Sequence, residues 1–194
     1  MYAVPFVLLL AGAPSPSPGP EATTGHEHGF NGGAYLTLST GANLWVAESG
    51  SAPAGFSAET TGGYLWSFPN RLKVSVGGGF KHRTMHLGAR YGPSYESGWL
   101  AVVRVGAGTD RLWGYGLLSP AITMRSDPPT VEGGFSDAGG VLAFEAGGGV
   151  AAVVWRGLFV GGELTLDMGG WEALPRPEEG LIYLNARFVT GWSF

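Results

Sequence analysis

The last stretch of the chain, Leu181 to Phe194, constrains the fold more than any other part of the sequence. One set of its alternate residues is mostly apolar: Ile182, Leu184, Ala186, Phe188, Thr190, Trp192 and Phe194. The other set is mostly polar: Tyr183, Asn185, Arg187, Gly191 and Ser193, with Leu181 and Val189 as apolar exceptions. Because successive side chains of a strand point to opposite faces, this pattern predicts a strand with one apolar face. We expect this strand to close a β-barrel whose apolar face meets lipid.

The composition agrees with a sheet in a membrane. Charged residues make up 13% of the 194 residues, about half of the usual share of about 25% in a soluble domain. No apolar run approaches the roughly 18 residues that a transmembrane helix needs. A glycine-rich soluble β protein remains the alternative, with 35 glycines in the chain.

Charge and cysteine content exclude several classes of protein. The formal net charge is -4, and no basic stripe is present, so we expect no nucleic-acid partner. The absence of cysteine excludes a disulfide scaffold, a zinc-thiolate site and a lipoprotein anchor.

The N-terminal segment has the features of an export signal followed by a linker. Val4 to Leu10 is apolar, and Ala11-Gly12-Ala13 fits the small-x-small cleavage pattern. Prolines alternate with serine and glycine from Pro14 to Pro20, which is typical of a disordered or extended linker. We therefore predict a signal peptide at 1–13, a Pro-rich linker at 14–28 and one barrel domain at 29–194.

Eight alternating runs follow the linker, and the connections between them alternate in length. The predicted strands are Gly33–Val46, Ser57–Phe68, Leu72–Arg83, Gly98–Gly106, Arg111–Arg125, Gly139–Val154, Leu158–Met168 and Leu181–Phe194. The long connections are Ala47–Phe56, Thr84–Ser97, Ser126–Ala138 and Gly169–Gly180, and the short ones are Pro69–Arg71, Ala107–Asp110 and Trp155–Gly157. Bacterial outer-membrane barrels combine short periplasmic turns with longer extracellular loops.

With this alternation and the terminal Phe188, Trp192 and Phe194, the chain resembles the small eight-stranded outer-membrane barrels, the architecture of OmpA and OmpX. The resemblance implies an all-β, antiparallel, up-and-down transmembrane barrel in the outer membrane of a Gram-negative bacterium, with both termini periplasmic. It implies contact with outer-membrane lipid, and Phe188, Trp192 and Phe194 would form the signal that the barrel assembly machinery reads. Four surface loops could present a site to an extracellular ligand.

Ten charged residues share the predicted inner face of the strands. They are Glu59, Lys73, Lys81, Arg83, Arg104, Arg125, Glu145, Glu163, Asp167 and Arg187. Lys or Arg facing the bilayer midplane costs about 2–4 kcal/mol, so this segregation is energetically meaningful. We predict that an ion-pair network plugs the lumen and includes Glu59, Lys73, Arg104, Glu145, Glu163 and Arg187. A selective pathway is the alternative, but eight strands enclose little more than side chains.

One pair within this network is predicted from the register. If Met168 opposes Ile182 across the last hairpin, constant antiparallel register places Glu163 opposite Arg187. Their Cβ atoms would then lie about 4.5–5.5 Å apart, within reach of a salt bridge. On a pairwise interpretation, Glu163→Gln destabilises the barrel and an added Arg187→Met recovers part of the loss.

Candidate catalytic and metal-binding residues are few. His82 and His86, with Ser94 and Glu96, could serve a lipid A-modifying enzyme, since some similar barrels use a His, a Ser and an acid. No motif unites them, and we expect no enzyme, because a triad is recognised by geometry. Residues His26-Glu27-His28 are a weak metal site. Gly147-Gly148-Gly149 lacks the Lys-Ser/Thr ending of a phosphate loop, so no cofactor is expected.

The predicted role is structural or a surface interaction, with a plugged polar lumen. The alternatives are a narrow channel for small apolar solutes, a lipid A-modifying enzyme and a soluble lipocalin-like barrel. The lipocalin-like barrel would have the opposite polarity, with apolar residues inside.

Overall fold

A computed structural model describes residues 30–45, 54–86, 93–126, 141–169 and 181–194. Within them the chain forms strands β1 Gly33–Trp45, β2 Ala54–Ser67, β3 Leu72–His86, β4 Pro93–Gly108, β5 Leu112–Ser126, β6 Val141–Trp155, β7 Leu158–Gly169 and β8 Leu181–Ser193. The predicted signal peptide and linker and residues His26, Glu27 and His28 lie outside the described residues. The described part of the chain contains no helix long and apolar enough to cross a membrane.

The eight strands form one closed antiparallel barrel. Each strand pairs with the next along the chain, and β8 pairs with both β7 and β1. The short connections at 68–71, 109–111 and 156–157 lie at one end of the barrel, which we call the turn end. The opposite end is called the loop end. The predicted eight-stranded up-and-down barrel is therefore confirmed.

The two faces of the sheet differ in polarity, as the alternation predicted. Large apolar side chains point outward, among them Trp99, Met124 and Phe194, which are 72%, 69% and 71% exposed. Charged side chains point inward and are buried, including Glu145 at 1% and Arg104 at 3% exposure. This is the polarity opposite to a lipocalin-like barrel, which keeps its apolar face inside.

Strands β3 and β4 are longer than the sequence indicated. Strand β4 begins at Pro93 instead of Gly98, and β3 continues to His86. The predicted loop 84–97 is therefore mostly strand, because Tyr95 is exposed and Glu96 is buried in a regular pairing of β3 with β4. The alternation continues through residues that turn statistics alone would assign to a loop.

Pro120 lies inside β5 and interrupts one ladder. The pairs between β4 and β5 stop after Leu100–Ala121 and resume at Val103–Leu118, because proline has no N–H to donate. On its other side Pro120 still pairs with Phe144 of β6. The strand thus continues with a local gap on one edge.

Candidate functional site

Arg187 on β8 is the centre of the charged interior. Its guanidinium lies 2.6 Å from Glu59 Oε2, 2.5 Å from Glu145 Oε1 and 3.1 Å from Glu163 Oε2. Glu163 is its register partner on β7, as predicted. Arg187 reaches Glu59 on β2 past Gly41 of the intervening β1, which has no side chain to block it. One arginine therefore binds three carboxylates from three strands.

Glu163 also anchors a second arginine and a tyrosine. Arg104 Nε donates to Glu163 Oε1 at 3.2 Å, and Tyr115 Oη donates to the same oxygen at 2.9 Å. The space for this bond depends on Gly149, where an added Cβ would lie 2.9 Å from Tyr115 Cζ and 2.8 Å from Glu163 Cγ. A side chain at 149 would therefore displace the Tyr115–Glu163 contact.

A second branch leads from Glu145 toward the loop end. Lys81 Nζ lies 3.9 Å from Glu145 Oε2 and 2.7 Å from Asp167 Oδ2. Arg83 Nη2 then contacts Asp167 at 3.0 Å and Glu96 at 2.9 Å. The two branches together form the ion-pair network: Glu59, Lys81, Arg83, Glu96, Arg104, Glu145, Glu163, Asp167 and Arg187.

Five of the six predicted network residues meet in this way, but Lys73 does not. Lys73 is 1% exposed at the turn end, where its Nζ donates to the carbonyl oxygen of Phe30 and to Ser67 Oγ at 2.9 Å. Its carboxylate contact is Asp110, at 3.7 Å. The prediction was wrong for Lys73 because inward parity does not specify height along the barrel. Arg125, the remaining inward prediction, has no described side chain.

Apolar side chains fill the turn-end half of the lumen, which the sequence analysis did not predict. This apolar plug consists of Phe30, Tyr35, Leu65, Trp113, Tyr115, Leu117, Ala151, Phe159 and Val189. The ring of Phe30 lies 5.7 Å from Trp113 and 5.3 Å from Phe159 between centroids. Trp113, Tyr115 and Leu117 share the inward parity of β5. Because Leu112 and Leu118 make the outward parity apolar too, the sequence pattern of β5 did not show that its inner face is apolar.

The filled lumen leaves little free space. A cavity of about 20 Å³ lies within the apolar plug, and one of about 10 Å³ lies in the ion-pair network. A site for a single water needs at least roughly 10–15 Å³. Both spaces are therefore close to the size of a single water molecule.

The residues considered for catalysis lie on different faces. Glu96 is inside the barrel, bound to Arg83, while His82 lies on the outward parity of β3. The side chains of His86 and Ser94 are outside the described residues. His82 Nδ1 instead lies 2.7 Å from Ser97 Oγ, its register partner on β4, and its ring stacks on Tyr95 at 6.3 Å. No described carboxylate contacts His82, so this is a His–Ser pair without an acid.

The proposed assembly-signal residues share the outer surface of β8. Phe188 and Phe194 are 56% and 71% exposed. Trp192 is partly exposed and meets Trp155 edge to face, with ring centroids 5.9 Å apart. Trp155 and Trp192 lie at the turn end. Among the described residues no group of His, Cys, Asp and Glu could hold a metal ion.

Comparison with known proteins identifies the fold through structure alone. No protein-family model matches the sequence, and a search of curated proteins finds no match. The crystal structure of Neisserial surface protein A (NspA) is similar with a TM-score of 0.56 and 12% identity, over 83% of this chain and 97% of that one. The outer membrane enzyme PagL is similar with a TM-score of 0.55 and 10% identity, over 82% and 99%. The chain therefore has the fold of the small eight-stranded outer-membrane β-barrels.

Proposed function

We propose that this protein is a non-conducting integral barrel of the bacterial outer membrane, with a structural or surface-interaction role. The observation that carries the proposal is the filled lumen. The ion-pair network centred on Arg187 closes the middle and the loop half of the lumen, and the apolar plug closes the turn half. With the interior packed, the lipid-facing wall and the four long connections remain available for function.

This role predicts that the purified protein does not conduct. Inserted into a planar lipid bilayer, the full chain should give no current steps, because the ion-pair network and the apolar plug fill the lumen. A porin of known conductance, inserted under the same conditions, is the positive control. Reproducible steps from the folded protein would favour the alternative of a narrow channel.

The proposed orientation places both termini and the turn end in the periplasm, as in other bacterial barrels with short periplasmic turns. Single cysteines can be introduced without background, because the chain has none. An impermeant maleimide should label Ser51→Cys and Ser136→Cys in intact cells, but label Pro69→Cys only after lysis. Labelling of Pro69→Cys in unbroken cells would reverse the orientation.

The outward aromatic residues of β8 support a further part of the proposal, recognition by the barrel assembly machinery. Phe188, Trp192 and Phe194 lie on one exposed face of the strand that closes the barrel. In an extended strand that is not yet part of the barrel, these three side chains would lie on one side and form an apolar stripe.

A lipid-modifying hydrolase is the second candidate, and the His82–Ser97 pair favours it. In such a reaction His82 would accept the Ser97 hydroxyl proton while the Ser97 oxygen attacks an ester carbonyl of an outer-leaflet lipid. The ester C–O bond would then break, and His82 would give the proton to the departing alcohol. Water, deprotonated by His82, would attack the acyl-serine, which releases the fatty acid and restores the Ser97 hydroxyl. Stacking on Tyr95 would hold the imidazole in place. Because no carboxylate of the described residues contacts His82, the pair is a weaker base than a triad.

If the hydrolase candidate is correct, the folded protein should release fatty acid from outer-membrane lipid, and Ser97→Ala should abolish release. Thr190→Val is the matched control, because Thr190 is also an outward hydroxyl residue but lies on β8, three strands away from β3 and His82. Equal fatty-acid release from wild type and Ser97→Ala would exclude the pair as the catalytic group.

A further inference from the structure

Phe30 occupies the turn end of the lumen as a side chain delivered from outside the sheet. It precedes β1 and is only 2% exposed. Gly32 and Gly33 connect it to the strand with φ angles of 111° and 136°, which side chains rarely adopt. At Gly33 an added Cβ would lie 2.2 Å from the Phe194 carbonyl oxygen. The chain thus folds back through two glycines to place one ring in the barrel.

No strand ladder holds Phe30. Its N–H donates to the Asp110 carbonyl oxygen at 2.8 Å, and its carbonyl oxygen accepts from Lys73 Nζ. Its ring lies between Trp113 and Phe159, tilted by 58° and 54°. Ring, N–H and carbonyl are the groups that a free aromatic amino acid also offers, at the same spacing.

The space around Phe30 at the turn end of the lumen is called the chamber below. Lys73 gives the chamber a preference for a negatively charged group. It is 1% exposed, and its carboxylate contact, Asp110, is 3.7 Å away and 62% exposed. A buried ammonium group gains more from a carboxylate than from a neutral carbonyl, because charge-assisted hydrogen bonds are about twice as strong. A ligand carboxylate in place of the Phe30 carbonyl would therefore satisfy Lys73 better than the chain does.

The wall of the chamber also has a small free space and, within the described part of the chain, unpaired hydrogen-bond donors. A cavity of about 20 Å³ lies beside Phe30 and is lined mainly by apolar side chains. Trp113 Nε1 and Ser75 Oγ line the same region, are buried, and have no hydrogen-bond partner among the described residues. They offer donors to a substituent on a bound ring.

From this geometry we infer that the turn end of the barrel is a binding site for a molecule with one aromatic ring two carbons from a carboxylate, and that Phe30 is a displaceable plug in that site. The ring lies between Trp113 and Phe159, and the carboxylate binds Lys73. Two sources share this chemistry, an aryl-propionate and a free aromatic amino acid. The amino acid would also donate its ammonium group to the Asp110 carbonyl oxygen.

The test is calorimetric titration of the folded full chain in detergent micelles with 3-phenylpropionate. Because Phe30 competes for the site, Phe30→Ala should bind at least about tenfold more tightly than wild type, which should still bind measurably. Gly32→Ala strains the connection, and its Cβ would approach only the backbone of Leu65 and Ser67, at 3.3 and 3.8 Å, so its affinity should lie between the two. It also provides a second route should Phe30→Ala fold poorly.

Specificity is tested by two changes. Adding Lys73→Met to Phe30→Ala should weaken 3-phenylpropionate binding at least about tenfold, as should replacing the probe by neutral 3-phenylpropanol, since each removes the charge-assisted bond. Tighter binding of L-phenylalanine than of 3-phenylpropionate identifies the amino acid as the preferred source, and the reverse order identifies the aryl-propionate.

Three results would overturn the inference. The first is no binding to folded Phe30→Ala. The second is equal affinity of Phe30→Ala with and without Lys73→Met. The third is no binding to wild type at a probe concentration one hundred times the concentration that saturates Phe30→Ala. The second result would indicate an unspecific apolar cavity, and the third would make Phe30 a permanent part of the core. Heat-dependent gel mobility establishes that each variant is folded.

Discussion

Arg187→Met is expected to destabilise the barrel by about 3–5 kcal/mol, the cost of removing one partner of a buried ionic cluster. Arg187 binds Glu59, Glu145 and Glu163 at 2.5–3.1 Å, and its side chain is 3% exposed. Without it three buried carboxylates face one another, with Arg104 and Lys81 as the remaining nearby cations. Urea titration of the protein refolded in lipid vesicles measures the free energy of unfolding.

Matched variants separate charge from shape. Arg187→Lys keeps the charge but cannot present a planar fork to several carboxylates, so its loss should be intermediate. Arg71→Met removes an exposed arginine side chain in a turn, where Arg71 makes its hydrogen bonds through the backbone, and should change stability by less than about 0.5 kcal/mol. If Arg187→Met were as stable as Arg71→Met, the ion-pair network would not stabilise the barrel.

The structure also changes the expected outcome of the double variant. A simple Glu163–Arg187 pair would predict partial recovery when Arg187→Met is added to Glu163→Gln. Because Arg187 also binds Glu59 and Glu145, the double variant leaves two carboxylates without it. We therefore expect it to be less stable than Glu163→Gln alone, and recovery in the same urea titration would show that Glu163 dominates.

Leu164→Arg is expected to cost about 2–4 kcal/mol in a bilayer, the penalty for arginine on the lipid-facing midplane of a barrel. Leu164 is in the middle of β7, 56% exposed. Its cross-strand neighbours Gly148 and Ala186 are small, so the substitution removes little packing within the protein. The measured loss would therefore report mainly on contact with lipid.

The control for this prediction is Leu112→Arg at the turn end, the same substitution at an outward leucine that is 52% exposed and lies opposite the small Ala152. The penalty for arginine falls to about 0–1 kcal/mol near the membrane interface, so the two variants should differ clearly in vesicle-based unfolding. In a soluble barrel both substitutions would be surface changes, and each would alter the free energy of unfolding by less than about 0.5 kcal/mol. Equal and small effects would contradict the membrane location proposed for this chain.

The sequence alone determined the barrel, because the information is local. Each strand has a period of two residues, and the outward Leu164 and inward Glu163 follow from that period without knowledge of partners. The sequence of the last hairpin also determined how β7 pairs with β8, since a slip of one residue would turn Arg187 toward the outer face.

Tertiary structure decided which inward side chains meet. Lys73 and Glu59 have the same parity, yet Lys73 binds the Phe30 carbonyl at the turn end while Glu59 binds Arg187. Height in the lumen depends on the stagger of all eight strands around the closed barrel. That stagger is a property of closure, and no single run of residues encodes it.

The same limit applies to Phe30 and to the His82–Ser97 pair. Phe30 has no alternation to place it, and only the fold back through Gly32 and Gly33 brings it to Trp113. His82 meets Ser97 because β3 and β4 continue pairing into a stretch that resembled a loop. Local alternation thus determined the face of each strand residue, while closure of the sheet and backbone reversal decided the contacts that form the candidate sites.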